Sequence, residues 1–218
     1  MARWVERLVR RFEGGGHPKA EVLPSKLDLR AKTYEWLNMV RSPTSEEMKK
    51  LGKDWISLDI QAKSLQQVVD EDPSYFGYVD ESRNLRDYVP PAMTIVINPK
   101  DLGVSNSFNW ETQMEHLAIT EKQSQIFERI HPEAKKVMLP ASAYVQADKL
   151  YRKKTGEKLF TDLCALVLDQ YGDSSSGLFV GRSLDTAALT DRLFVGGFLA
   201  LNGHASVSVV PAVVFIRK

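Results

Sequence analysis

The period of the apolar positions changes several times along the chain, and each change marks an element. Trp4, Val5, Leu8, Val9 and Phe12 fall at i, i+1, i+4, i+5 and i+8, which lines one face of a helix over residues 1–13. Arg3, Glu6, Arg7, Arg10 and Arg11 take the opposite face. A helix below about 12–15 residues is marginal alone in water, so this apolar face is expected to dock on something. Gly14-Gly15-Gly16-His17-Pro18 then resists regular structure. Residues 14–30 read as a flexible linker, with 19–30 extended or irregular and Pro24 a further break; residues 31–218 read as a single α+β globular domain.

Thr33–Arg41 predicts a short helix, with Tyr34, Leu37 and Trp36 turned inward. Thr44 with Glu47 forms a capping box and starts a second helix that Gly52 ends. Trp55–Ile60 alternates, with Ile56, Leu58 and Ile60 on one side of a strand. Ser64 and Gln67 predict another capped helix, through Val69 and stopped before Asp72-Pro73. Tyr75–Val79 reads as a short strand, Asp80–Asp87 as loop, and the β-branched Met93–Asn98 as a strand closed by Pro99. Trp110, Met114, Leu117, Phe127 and Ile130 share one face of a helix over about 108–130, a stripe that Glu121 and Ser124 interrupt. Lys136–Leu139 predicts a buried strand, and Ser142 is placed to cap a helix running to about Lys154, with Gly156 as the stop. The apolar run at 161–171 fits a buried strand or a buried helix equally.

From Gly177 the pattern becomes β. Gly177–Ser183, Arg192–Leu201 and Ala205–Ile216 are strand-like, Asn202-Gly203 is a hairpin-turn signal, and Pro211 marks a bulge or an edge. The expected fold class is therefore α+β: a mixed or antiparallel sheet with a C-terminal β-meander over about 177–216, packed by two or three helices, plus the N-terminal amphipathic helix on its glycine joint.

Composition adds limits. Apolar residues make up 43% of the 218 and charged residues 26%, an ordinary globular balance. The longest apolar stretch, near Val207–Ile216, falls short of the ~20 residues of a membrane-spanning helix. The single cysteine, Cys164, permits no internal disulfide and no cysteine-built zinc site, which points to a reducing cytoplasm; its apolar setting predicts a buried, inert thiol. The net charge of +1 is distributed in blocks: +4 over residues 1–54, −6 over 55–131, +4 over 132–160 and −1 over 161–218. Such blocks are expected to match one another within the fold or between subunits.

Candidate chemistry is sparse. Gly172-Asp173-Ser174-Ser175-Ser176-Gly177 lacks the Gly-Lys-Ser/Thr ending of a phosphate loop, and no G-x-S-x-G elbow surrounds a serine. His17, His116, His131 and His204 are the available bases, and Glu111, Glu115 and His116 form only a partial ligand set, so neither a metal nor another cofactor is expected. Lys149, Arg152, Lys153, Lys154 and Lys158 beside Tyr144 and Tyr151 could grip phosphates and stack a base. The competing expectation is a solvated basic face that complements the acidic block.

Lys136–Phe160 carries a likeness: Lys-Val-Met-Leu-Pro, a Tyr- and Lys-containing helix, then Thr-Gly-Glu-Lys-Leu-Phe. With Ile97-Asn98-Pro99, Thr155-Gly156 and Val213-Val214 as landmarks, residues 45–218 resemble a loose group of uncharacterised small bacterial proteins. The resemblance implies a strand–helix–strand–helix order followed by a terminal meander, and it brings no activity.

The leading expectation is a non-catalytic binding or structural protein that acts through a protein partner or through self-association, with Trp4, Val5, Leu8, Val9 and Phe12 as the contact residues. An anionic membrane surface is a further docking option for that face. The alternatives are a small hydrolase whose site forms no motif, with His204 or His116 as base, and peripheral nucleic-acid binding through the 149–158 patch.

Overall fold

The computed structural model of the protein describes residues 26–81, 83–102, 113–161, 164–169, 178–182, 192–197, 207–208 and 210–217. Residues 1–13, the glycine joint, Trp110, the serine-rich loop at 172–177, and Asn202-Gly203 with His204 lie outside them. The fold is α+β. Its helices are α1 (Lys26–Asn38), α2 (Ser45–Leu51), α3 (Leu65–Glu71), α4 (Arg83–Asp87), α5 (Gln113–Glu128) and α6 (Ala141–Thr155). Its strands are β1 (Val40–Arg41), β2 (Ile56–Ile60), β3 (Phe76–Val79), β4 (Met93–Ile97), β5 (Ala134–Val137), β6 (Cys164–Leu166), β7 (Leu178–Gly181), β8 (Leu193–Gly197), β9 (Val207–Ser208) and β10 (Ala212–Ile216). Among the described residues no helix is long and apolar enough to cross a membrane.

The first sheet is antiparallel and is organised around β10. That strand pairs with β5 over Ala212–Phe215, with β4 at Val213↔Val96 and with β1 at Phe215↔Arg41. Val213 and Phe215 each have a β5 partner as well, so β4 and β1 share the edge of β10 opposite β5. β2 completes the sheet beside β4, with Leu58 opposite Ile95. The alternation along these strands serves two packed faces. Ile95, Ile97, Ala212 and Val214 enter the main core, while Val96, Val213 and Phe215 pack with Ala134 under Met48, Leu51, Trp55 and Phe127. With both faces covered, β4 is buried along its whole length, which is why its sequence reads as an unbroken apolar run.

The second sheet is mixed. β6, β7 and β8 form an antiparallel meander, and β3 and β9 flank it in parallel register. A meander is thus present, at 164–197. The strands that follow divide between the sheets: β9 pairs with β6, and β10 crosses to the first sheet. Within the run at 161–171 the described residues hold a strand at Cys164–Leu166, β6, with Cys164 at 1% exposure, and no helix.

Both predicted capping boxes form. Thr44 accepts the Glu47 N–H while Glu47 accepts the Thr44 N–H, and Ser64 and Gln67 do the same at α3. Other boundaries move. α1 begins at Lys26, inside the stretch expected to be linker, and buries Leu29 against the core. Arg83–Asp87, expected as loop, is a short helix, because Arg86 donates to the Val79 and Asp80 carbonyls and to Gln66 and so locks that turn onto β3 and α3. Ser124, expected to interrupt the α5 stripe, is fully buried; its hydroxyl accepts the Lys136 N–H and fastens α5 to β5. Ile130, expected on the inner face, lies beyond the end of α5 and is 73% exposed.

Between β3 and β8 the register shifts by one residue between Phe76 and Tyr78, which leaves Gly77 as the extra residue of a bulge. A Cβ at Gly77 would meet Cζ of Phe194 at 2.7 Å, and one at Gly196 would meet Cε1 of Tyr78 at 3.1 Å. Each glycine therefore receives an aromatic ring from the neighbouring strand. Gly77→Ala is expected to destabilise the protein by about 1–3 kcal/mol through overpacking, less the ~0.5–1 kcal/mol that alanine gains over glycine in a strand. Gly196→Ala, with the longer contact, is expected to cost less. Urea unfolding of both variants checks the order; equal or reversed losses would contradict it.

Candidate functional site

α6 is the helix on which the described polar chemistry converges. Its first eight residues, Ala141–Asp148, are all buried, and the alanines at 141, 143 and 147 let it lie against β2 of the first sheet and β7 of the second. Gly156 ends it in the left-handed region at φ 81°, where its N–H still reaches the Arg152 carbonyl at 2.8 Å.

Asp148 is fully buried and Arg182, just past β7, is 2% exposed. They meet as a fork: Arg182 Nη1 donates to Asp148 Oδ1 at 3.0 Å and Nη2 to Oδ2 at 2.6 Å. Asp148 also accepts the Tyr75 hydroxyl at 2.5 Å and the Leu159 and Phe160 N–H groups at 2.8 and 3.3 Å. Arg182 Nη1 donates further to the Phe160 carbonyl at 2.9 Å. Burial works against the charge on Arg182, and the hydrogen bonds and charge of Asp148 outweigh it, so the guanidinium is held above its ordinary pKa. Burial, then the Asp148 charge, pushes the Tyr75 phenol well above its usual range. Five donors fill the roughly four lone-pair sites of one carboxylate, so Asp148 has no capacity left for a substrate. The network fixes α6, the 159–160 backbone and Tyr75 relative to one another.

Asp169 supplies what the start of α6 lacks. The helix begins after Pro140, with no side-chain cap of its own. Ser142, expected to cap it, instead donates to the Lys63 carbonyl at 2.5 Å. The chain leaving β6 runs beside residue 139, where the Leu168 N–H reaches the Leu139 carbonyl at 2.9 Å. Asp169 Oδ2 thereby accepts the Ala141 N–H at 2.5 Å, a cap delivered from 28 residues away. Burial raises this carboxyl to about 6, against the lowering effect of the Ala141 N–H and of Arg30. Tyr34 and Tyr88, packed edge to face at 5.4 Å, feel its charge, and both phenols are pushed up by burial first.

The outer side of α6 forms one wall of a cleft of about 160 Å³. β2 and the turn after it contribute Asp59, Gln61 and Lys63; α3 contributes Val68 and Glu71; α6 contributes Gln146, Lys149 and Leu150. The Gln146 amide holds both backbone groups of Gln61, accepting its N–H at 2.9 Å and donating to its carbonyl at 3.1 Å. Lys63 pairs with Glu71 at 2.5 Å. Lys149 pairs with Asp72 at 3.3 Å and lies 5.1 Å over the Tyr75 ring. The cleft is thus tied to the buried network through Tyr75.

The basic run expected at 149–158 keeps Arg152, Lys153, Lys154 and Lys158 at the surface but loses its aromatic partners. Tyr144 and Tyr151 are 2% and 5% exposed, so neither can stack a base; Tyr144 donates to the Val210 carbonyl instead. Lys149 serves the cleft and Asp72, and Lys154 reaches the Ser57 carbonyl at 3.5 Å. Charge blocks do pair across the fold, in Lys149–Asp72, Lys32–Glu121 and Lys135–Glu128. Of the candidate bases, His131 stacks on Phe127 at 4.7 Å, and burial, then Lys50, lowers its pKa; His116 belongs to α5, and His17 and His204 lie outside the described residues. Burial pushes the Cys164 thiol up to about 12. Among the described residues no three His, Cys, Asp or Glu side chains gather as metal ligands. Sequence reasoning passed over Asp148, Asp169 and Arg182; the available signal was a lone charge inside or at the end of an apolar run.

Comparison with protein-family models, with curated proteins and with solved structures finds no match to this chain.

Asp169 makes a pH prediction with a definite sign. Its folded pKa is raised above the unfolded value of 3.8, so the folded state holds the proton more tightly. The contribution is most favourable below about pH 4 and is lost as pH rises to about 6, on the order of 2–3 kcal/mol. Asp169→Asn keeps an acceptor for Ala141 and removes the titration. Urea unfolding across this window should show the variant gaining on the parent protein as pH rises; a constant difference would contradict the assignment. Glu47, lowered to about 2 by its hydrogen bonds to Arg41, contributes in the opposite sense: its stability is present above about 4.5 and lost as pH falls toward 2.

Proposed function

We propose that the protein is a binding protein that acts by associating with a protein partner or with a second copy of itself. One observation carries this reading. The main core is continuous among the described residues from Leu29 to Val214, while Trp4, Val5, Leu8, Val9 and Phe12 repeat at helical spacing ahead of a triple glycine. Five apolar side chains along one helical face are suited to an intermolecular contact, and helix-in-groove docking is the recognition mode such spacing serves. If buried together, they would contribute up to ~1.5–3 kcal/mol each before entropy. Ile126 and Ile130, 52% and 73% exposed, add apolar surface at the end of α5.

Deleting residues 1–13 tests the proposal. Light scattering on the intact and shortened chains is expected to show an assembly that the deletion dissolves, or cross-linking with a purified partner is expected to be lost. Trp4→Ala with Phe12→Ala in the full chain should reproduce the effect. An unchanged mass and unchanged partner capture in both forms would overturn it.

A further inference from the structure

We infer, independently of the association reading, that the cleft between β2, α3 and α6 binds a small primary carboxamide through the backbone of Asp59. β2 pairs with β4 along one edge. α6 runs along the other edge in the opposite direction, with Gln146 at Gln61 and Lys154 at the Ser57 carbonyl. From 146 to 154 a helix rises about 12 Å, and from 57 to 61 a strand advances about 13 Å, so the two elements stay in step. Leu150, midway on α6, therefore stands opposite Asp59, midway between Ser57 and Gln61, and both residues line the cleft.

Alternate residues of an antiparallel strand turn both backbone groups to the same edge. Gln61 turns its N–H and carbonyl to α6 and Ser57 its carbonyl, so Asp59 turns its own pair the same way. The Asp59 carboxylate, bonded to the Thr94 hydroxyl, lies on the sheet face opposite Leu58 and Ile60. The backbone is thus what Asp59 brings to the cleft. Leu150 has no polar atom with which to answer it.

The neighbouring contact shows the ligand class that fits. Gln146 Oε1 accepts the Gln61 N–H at 2.9 Å, and Nε2 donates to the Gln61 carbonyl at 3.1 Å. One primary carboxamide answers both backbone groups of one residue, and Asp59 presents the same pair two residues earlier. A primary amide carries an N–H on the same side as its C=O. A peptide amide is trans and cannot turn both groups to one residue. A strand cannot add to this edge either, because α6 already holds Gln61 and Ser57 on each side. A carboxylate lacks the donor and an ammonium lacks the acceptor. The rim charges pair as Lys63–Glu71 and Lys149–Asp72, which suits a neutral guest. Val68 and Leu150 offer apolar surface to a short alkyl chain. Size agrees: the cleft measures about 160 Å³, and a cavity of ~150 Å³ holds benzene, which matches butyramide in heavy atoms.

The test is a nitrogen–proton NMR titration of the full chain with butyramide up to about 100 mM, a range that captures affinity in the millimolar decades. A saturable shift is expected at the Asp59 amide. Sodium butyrate, without the donor, and N-methylbutyramide, whose N–H is trans to its carbonyl, are expected to give no saturation there. Leu150→Gln repeats the Gln146 contact one helical turn on and places a carboxamide of the chain's own at Asp59; it should weaken butyramide binding about tenfold or more. The ligand series on the parent chain decides the matter even where this variant does not fold. No saturable shift at Asp59, equal saturation by butyrate or N-methylbutyramide, or unchanged binding in a folded Leu150→Gln chain would overturn the inference.

Discussion

The forked pair between Asp148 and Arg182 is the contact on which the described architecture turns. α6 lies against β2 of one sheet and β7 of the other, and Asp148 is the point at which it is bolted to the second. The same carboxylate draws in the 159–160 backbone and, through Tyr75, the turn before β3. Taking two charges out of water costs several kcal/mol per ion, and such a pair persists only when nearly every donor and acceptor is answered. Here the carboxylate is saturated. Both guanidinium termini are engaged, while the buried Arg182 Nε has no partner among the described residues. Gln146, two residues before Asp148, ties α6 to β2, so one helical segment joins the two sheets by polar contacts as well as by packing.

What could be read in advance follows from range. The capping boxes at Thr44–Glu47 and Ser64–Gln67 are formed by residues three apart, and both appear as the spacing predicts. Alternation at Ile56–Ile60 and the β-branched run at Met93–Ile97 likewise announce strands from local pattern. The failures are tertiary. Ser142 has the chemistry of a cap, yet Asp169 arrives from another element and takes that role, which frees the serine for Lys63. Ser124 reads as a polar gap in a helical stripe because its partner, the Lys136 N–H, lies in a strand 12 residues on. The C-terminal strands are recognisable as strands, but nothing local says that β10 leaves the sheet of β9 to become the centre of the other.

The candidate sites divide in the same way. Lys149, Arg152, Lys153, Lys154 and Lys158 are legible as a basic run, while the burial of Tyr144 and Tyr151 that removes its stacking surface is a consequence of packing. Lys149 acquires a different setting, a cleft assembled from three elements that lie far apart in the sequence. The buried network lies behind the cleft and sets where Lys149 and Gln146 stand.

The most direct test of this account is a double-mutant cycle on the buried pair, read by equilibrium unfolding in urea. Arg182→Met and Asp148→Asn each leave one polar partner buried without the other, and each is expected to lose about 3–5 kcal/mol. The double variant is expected to lose at least ~2 kcal/mol less than the sum of the two, because neither strands a buried charge once the other is gone. Additivity to within ~0.5 kcal/mol would show that the two side chains contribute independently, and would contradict the claim that this pair holds α6 between the sheets.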